Sequence, residues 1–418
     1  MDMDLEKLIK IGENEGFETE VFFVKSYEVS VDLDGKSVDS FQTGISYGIG
    51  VRVIKDGKVG FAYTNRFDEN IVYKAMKNLV EDRYTEFAEP QKYKEPKGMF
   101  YKEILDLDEK ELLEDLITMR DIALDNNAIV LSGGVSKDVG YARLINSNGV
   151  DVEEQDTYFS ASISIMYEGE TSYECRTRHN IFDVEEISYK ALDLAKKSAN
   201  GEAISYKGNI VLSPRALYDL LAYTLMPAFS AENVQRDRSI LKGKIGEQIF
   251  GENITIVDDG TLDYALYSSK CDGEGTAMQR TVLVENGVLK NYLYDIKRAN
   301  KEGKSSTGNC SRSYRSLPYV SPTNFIIKET KNSLDDFDEY VYINGVIGSH
   351  TSNPITGDFA VEIQNSYLYK NGEIIPIKRG MFGGNIFEMF KDAIPLNDVE
   401  QRGKLISPSI VFKGDIVN

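Results

Sequence analysis

The stretch "VRVIKDGKVGFAY", Val51 to Tyr63, sets two β-rich runs on either side of an Asp-Gly pair. Asp-Gly between such runs is the strongest short-range hairpin signal, because both residues tolerate the positive φ of a tight two-residue turn. "VSVDLDGKSVDSF", Val29 to Phe41, repeats the arrangement upstream. Before them, "DLEKLIKIGENEG" puts Leu5, Leu8 and Ile9 on one helical face and stops at Gly16. After them, Asp68 to Tyr84 has helical spacing, with Asp68 as the N-cap. The first block, residues 1–88, therefore reads helix, four strands, helix.

Working outward, Glu86 to Gly98 is polar, carries Pro90 and Pro96, and reads as a linker. The same order recurs over residues 105–205: a helix at Asp108 to Asn126, strands around an Asn148-Gly149 turn, and a helix at Val184 to Ala199. From there to residue 418 the texture is strands and glycines, with hairpin turns at Asn286-Gly287 and Asn371-Gly372. Two helices interrupt it. One is "SPRALYDLLAYTL", with Ser213 as N-cap and Pro214 at the first helical position; the other is "GNIFEMFKDAI". The expected fold class is α+β: two small αβ units followed by a larger β-rich C-terminal domain.

At 418 residues, 41% hydrophobic and 28% charged, the chain can bury several cores and reads as globular. Lys and Arg total 48 against 67 Asp and Glu, a net charge of −19. A surface of that sign repels phosphate backbones, so no direct nucleic-acid partner is expected. No apolar run approaches the roughly 20 residues of a membrane helix. The opening "MDMDLEKLIK" is acidic where a leader would be basic and then apolar. Cys175, Cys271 and Cys310 are scattered and form no pairing framework. We therefore expect a cytoplasmic protein with no membrane partner.

Metal and nucleophile motifs find no support. A zinc helix needs two histidines one turn apart, but His179 and His350 are the only histidines and lie far apart in the chain. "CRTRH", Cys175 to His179, sits in an alternating, strand-like setting where four residues span about 13 Å, too far to share an ion. "GISYG", Gly44 to Gly48, matches G-x-S-x-G but runs on into a hairpin instead of a helix.

Four stretches of the last block combine glycines, hydroxyl residues and an acid or asparagine: Cys271–Thr281, Gly303–Ser313, His350–Phe359 and Met381–Phe390. That composition lets backbone N–H groups line a groove, and it equally suits tight β turns. The candidate peptide-groove residues drawn from them are Asp272, Glu274, Thr276, Thr307, Asn309, His350 and Asp358. His350 is read either as a donor to a peptide carbonyl or as part of a packed loop.

The ordered set "DDGTLDYALYSSKCDGEGTAMQRTVLVENGVLKNYLYD", "SSTGN", "NPITGDF", "GGNIFEMF" and "SPSIVF" resembles the TldD/PmbA family. These proteins are associated with proteolysis and historically named as modulators of DNA gyrase. "GIGVRVIKDGKVGFAYT" and "NIVLSPRALYDLL" extend the resemblance over essentially the whole chain. In the TldD branch an H-E-x-x-x-H zinc motif follows the strand that opens the third domain, with a distant cysteine as a further ligand. Matched at "LSPRALYDLL", that stretch falls on Ala222 to Glu232, with Ala222, Tyr223 and Pro227 in place of histidine, glutamate and histidine. The resemblance thus implies the PmbA (TldE) branch: a cytoplasmic subunit acting on small or unfolded peptides, without catalytic or metal-binding residues of its own. Zinc would reside in a TldD-type partner, bound as a heterodimer or larger assembly; alone, the chain would form a homodimer. Two other readings stay open, a stand-alone hydrolase with an unrecognised site and a non-catalytic peptide-binding adaptor.

Overall fold

The computed structural model describes residues 4–417. Helix α1 (Leu5–Asn14) is capped by Asp4 and buries Leu5, Leu8 and Ile9. It leads into β1 (Glu18–Asp34), β2 (Ser37–Lys55) and β3 (Lys58–Thr64). Asp56 and Gly57 take φ of 51° and 70° between β2 and β3, the paired left-handed turn expected of Asp-Gly. In the first hairpin the loop is Gly35-Lys36, one residue later than the Asp-Gly pair suggests, because Asp34 still pairs with Ser37.

Three strands, not four, stand between the two helices. β2 runs unbroken through Gly44 and Gly48, paired with β1 along its length, so "GISYG" is strand and not elbow. Helix α2 (Asn70–Lys77) is shorter than expected, since Val80–Glu81 leaves the helical path to pair with Lys58 and Val59 as β4. Asp68 lies one residue ahead of the cap position, although its carboxylate accepts the Asn70 N–H at 3.0 Å.

Helices α3 (Lys102–Asp106) and α4 (Glu109–Asp125) precede the strands β5 (Ile129–Asn146), β6 (Asp151–Tyr167) and β7 (Glu170–Arg178) and the helix α5 (Glu185–Ser198). The two αβ units join edge to edge: β1 pairs with β5, giving one antiparallel sheet in the order β4-β3-β2-β1-β5-β6-β7. Strand alternation then divides the labour between its faces. Odd-numbered residues of β1 pack under the helices, Val21 and Phe23 beneath α1 and α2, and Val29, Val31 and Leu33 beneath α4 and α5. The opposite face carries Glu20, Phe22, Arg52, Leu144, Val152 and Glu154, and it meets the C-terminal domain.

The linker is a strap laid on that domain. Tyr93 Oη donates to the Gly275 carbonyl at 3.1 Å, and Tyr264 N donates to the Lys97 carbonyl at 2.7 Å. Beyond it, β8 (Tyr206–Leu212) pairs with Glu339–Ile347 and Ile410–Val417. Those two strands connect through Met381–Asn385 and Asp358–Lys370, which closes a ring of five strands. A second sheet of short strands contains Ile256–Asp259 and Phe325–Ile327. Helix α6 (Pro214–Leu221) lies between them, capped by Ser213 Oγ as expected, but it stops at Leu221. Beyond it Met226–Phe229 forms a 3-10 turn with Pro227 in its first turn, where a missing N–H costs nothing. The last expected helix is a single turn, Ile386–Met389. Among the described residues, no helix is long and apolar enough to cross a membrane.

Candidate functional site

A cleft of about 730 Å³ opens where the free face of the first sheet meets the C-terminal domain. β6 contributes Glu154, Asp156 and Tyr158, alternate residues that strand geometry places on one face. The strap closes one side with Lys97 to Phe100, and the C-terminal domain supplies Tyr267, Lys270, Ser321 and Lys404. Glu154 accepts from Ser269 Oγ and the Lys270 N–H. Tyr158 donates to Asp156 Oδ2 at 3.2 Å. Burial pushes the Glu154 and Asp156 carboxyls above the usual range, and the Tyr158 hydroxyl is raised by the same burial and by Asp156.

Facing them, Lys404 Nζ donates to Ser321 Oγ at 2.6 Å and lies 5.3 Å from the Tyr267 ring centre. Burial lowers its pKa, and Asp258 partly opposes that. Asp258 is itself buried, accepting from Thr323 N at 2.8 Å, Thr323 Oγ1 at 2.7 Å and Asn309 Nδ2 at 2.6 Å. Burial nevertheless pushes its carboxyl up to about 6. A carboxyl raised on folding contributes stability that is fully present below its unfolded pKa and lost as pH rises through the folded value. The Tm difference between the native chain and Asp258→Asn is therefore expected to be larger at pH 5 than at pH 8. Equal differences in thermal melts at the two pH values would contradict this.

Ser321, Pro322 and Lys404 also line a second cavity of about 300 Å³, which therefore adjoins the cleft. Its other walls include Tyr218, Ala222, Met226, Pro227 and Glu232. This is where the resemblance places the zinc motif, and the residues do not fit the ion. Ala222 and Pro227 offer no donor, and Glu232 is already paired with Arg298 at 2.7 Å and Arg236 at 2.9 Å.

Among the described residues, Asp272, Glu274 and Cys310 bring potential ligand atoms within 4.8 Å of one another. They are saturated otherwise. Asp272 accepts three backbone N–H groups, from Glu274, Thr276 and Cys310. Glu274 takes Arg52 Nη1 at 3.1 Å and the Ile296 N–H at 3.0 Å. Burial, then the Glu274 and Asp272 charges, hold the Cys310 thiol well above its ordinary pKa, which opposes a thiolate ligand.

None of the seven candidate groove residues lines the cleft. Asp272, Glu274, Thr276 and Asn309 are buried, and Thr307 Oγ1 bonds Asn309 Oδ1 at 2.7 Å, so five of the candidates gather behind the cleft as its support. The glycine-rich segments fold inward because their polar side chains satisfy one another's turns, the alternative that the composition also allowed. His350 is exposed on the turn Ser349–Thr351, and Asp358 accepts from Thr356 Oγ1 at 2.6 Å and Asn385 Nδ2 at 2.8 Å. The loop holding both lines neither cavity. His179 is buried, with Nδ1 2.8 Å from the Thr157 carbonyl and its ring 4.7 Å from that of Tyr158. Cys175 sits on β7, as the strand reading of "CRTRH" required.

Comparison with known proteins agrees with this architecture. The PmbA/TldA metallopeptidase domain 1 model matches residues 19–85, the central domain model residues 102–199, and the C-terminal domain model residues 205–417. The chain belongs to the PmbA/TldD family. The strap, between the first two PmbA/TldD domains, falls outside both matches. An uncharacterized protein of Methanocaldococcus jannaschii is 93% identical over the full length of both chains. A second protein of that organism, named a metalloprotease, is 25% identical across 93% of this chain and 91% of its own. The crystal structure of TldE from Thermococcus kodakarensis superposes with a TM-score of 0.92 at 26% identity, covering 99% of this chain and all of that one.

Proposed function

We propose that this chain is the PmbA/TldE-type subunit of a TldD-type metalloprotease complex that degrades small or unfolded peptides in the cytoplasm. The observation that carries the reading is the adjacency of the cleft to the cavity at Ala222 and Pro227, through the shared walls Ser321, Pro322 and Lys404. A groove of peptide size adjoins the place where the zinc-bearing branch would hold its ion, and there Ala222 and Pro227 offer no ligand while Glu232 is held by arginines. The chain then contributes binding and enclosure, while the activated water and the glutamate base belong to the partner. Carboxyls on one wall and the Lys404 ammonium on the other suit a short peptide with both its termini charged. The likeness to TldE supports the branch. That one organism holds both a near-identical relative of this chain and a second relative named a metalloprotease is in keeping with a paired subunit.

Metal analysis of the purified chain is expected to find well under one zinc per monomer, with no chelator-sensitive peptidase activity. Adding a TldD-type subunit should give turnover above that of the partner alone. Lys404→Gln should then lower kcat/KM about tenfold, the scale of one charged hydrogen bond. Stoichiometric zinc in the chain alone, or metal-dependent turnover without a partner, would overturn the reading.

A further inference from the structure

A second large cavity, about 680 Å³, lies at another seam between the domains and shares no lining residue with the cleft. Its lining is cationic in a chain of net charge −19: Arg176, Arg178, Lys190, Arg215 and Arg402 face only Asp398 and Glu400. Several of these charges are paired. Arg176 meets Glu186 at 2.7 Å, Lys190 meets Glu400 at 3.2 Å, and Arg402 bridges Glu174 and Glu400. Asp398 is occupied by the N–H and hydroxyl of Ser409, at 2.8 and 2.6 Å.

Two guanidiniums, those of Arg178 and Arg215, have no carboxylate within salt-bridge distance among the described residues, although Glu400 and Asp219 lie near enough to act on them. Arg178 donates only to the neighbouring Thr177 carbonyl, at 2.7 Å. Arg215 donates to the Tyr173 carbonyl and lies 5.1 Å from that residue's ring centre. Burial, reinforced by Arg176 and Arg402, holds the pKa of Arg178 below its ordinary value, so an incoming negative charge would relieve it. Ser213 and Pro214, at the start of α6, bring the positive end of that helix to the same wall.

We propose that this cavity binds a small phosphorylated molecule, with its phosphate oxygens held by the guanidiniums of Arg178 and Arg215. A guanidinium fork matches a tetrahedral oxyanion through paired hydrogen bonds. The cavity exceeds a bare phosphate, which leaves room for an organic group against Phe182 and Tyr342. The cations come from four separate segments of the chain, so no basic run in the sequence announces them.

The test is isothermal titration of the full chain with pyrophosphate and with AMP, in about 0.15 M KCl to screen loose charge attraction. At least one probe is expected to bind, and Arg178→Gln should weaken it tenfold or more, as should Arg215→Gln. Tighter binding of AMP would identify an organic phosphate, and tighter pyrophosphate an inorganic one. Circular dichroism and the unliganded Tm establish that each variant is folded. Absence of binding by both probes at millimolar concentration, or binding unchanged in both variants, would refute the site.

Discussion

Replacing Arg52 with methionine is expected to destabilise the protein by about 3–5 kcal/mol, the cost of stranding a buried charge. Arg52 is 2% exposed and donates Nε and Nη2 to Glu20, both at 2.8 Å, and Nη1 to Glu274 at 3.1 Å. Glu20 would keep Arg312, at 2.7 Å. Glu274 would keep only the Ile296 N–H, and its carboxyl is already raised by burial. The stranded charge therefore lies on the C-terminal side of the seam, and the loss should appear as undocking of the first sheet. Urea unfolding should show an earlier midpoint, and proteolysis should cut first in the strap at Glu86–Phe100. Arg52→Met combined with Glu274→Met removes both charges and is expected to recover more than half of the loss, a coupling that a double-mutant cycle measures. An unchanged midpoint for Arg52→Met would mean that the network holds nothing together.

That network also shows where sequence reading stops. Hairpins, caps and helix faces were legible because each depends on residues a few positions apart: Asp56-Gly57, Ser213-Pro214, and Leu5 with Leu8 and Ile9. The joining of two αβ units into one sheet was not, since β1 and β5 are the edges of their own units and pair across roughly a hundred or more residues of chain. The cleft was missed for a related reason. Glycines and hydroxyl residues drew attention to Asp272, Glu274 and Asn309, which became buried support, while Glu154, Asp156 and Tyr158 carried the wall. A local signal did exist: in "DVEEQDTYF" these three occupy alternate positions of a strand, and two acids with a tyrosine on one strand face call for a polar partner there. Lys404 had no such signal, because its place opposite β6 is purely tertiary.

Lysines at both Phe41 and Ile45 are expected to weaken the proposed assembly with a TldD-type subunit at least a hundredfold while leaving the fold intact. β3 pairs with β2 only from Ile49 onward, so Ser37–Gly48 is bonded to β1 on one side and, among the described residues, presents an open edge on the other. That edge exposes Phe41 at 50%, Ile45 at 67% and Tyr47 at 40%. A long apolar edge strand left bare is an aggregation hazard, and charges on such edges are what proteins use to block pairing. Tyr314 packs beside Gly48 and Gly50, where an added Cβ would come within 2.7 Å of it, so the loop after Ser311 ties this edge to the rim of the cleft. A subunit docked along the edge would therefore stand over the cleft and complete a chamber around the peptide. Two exposed anchors at the centre of such an interface are worth on the order of 2 kcal/mol each, which is where the hundredfold floor comes from. Light scattering of the mixed subunits and the peptidase activity of the mixture should fall together, with far-UV circular dichroism and Tm unchanged because both positions are solvent-facing. Undiminished assembly by the double variant would place the subunit contact elsewhere on the molecule.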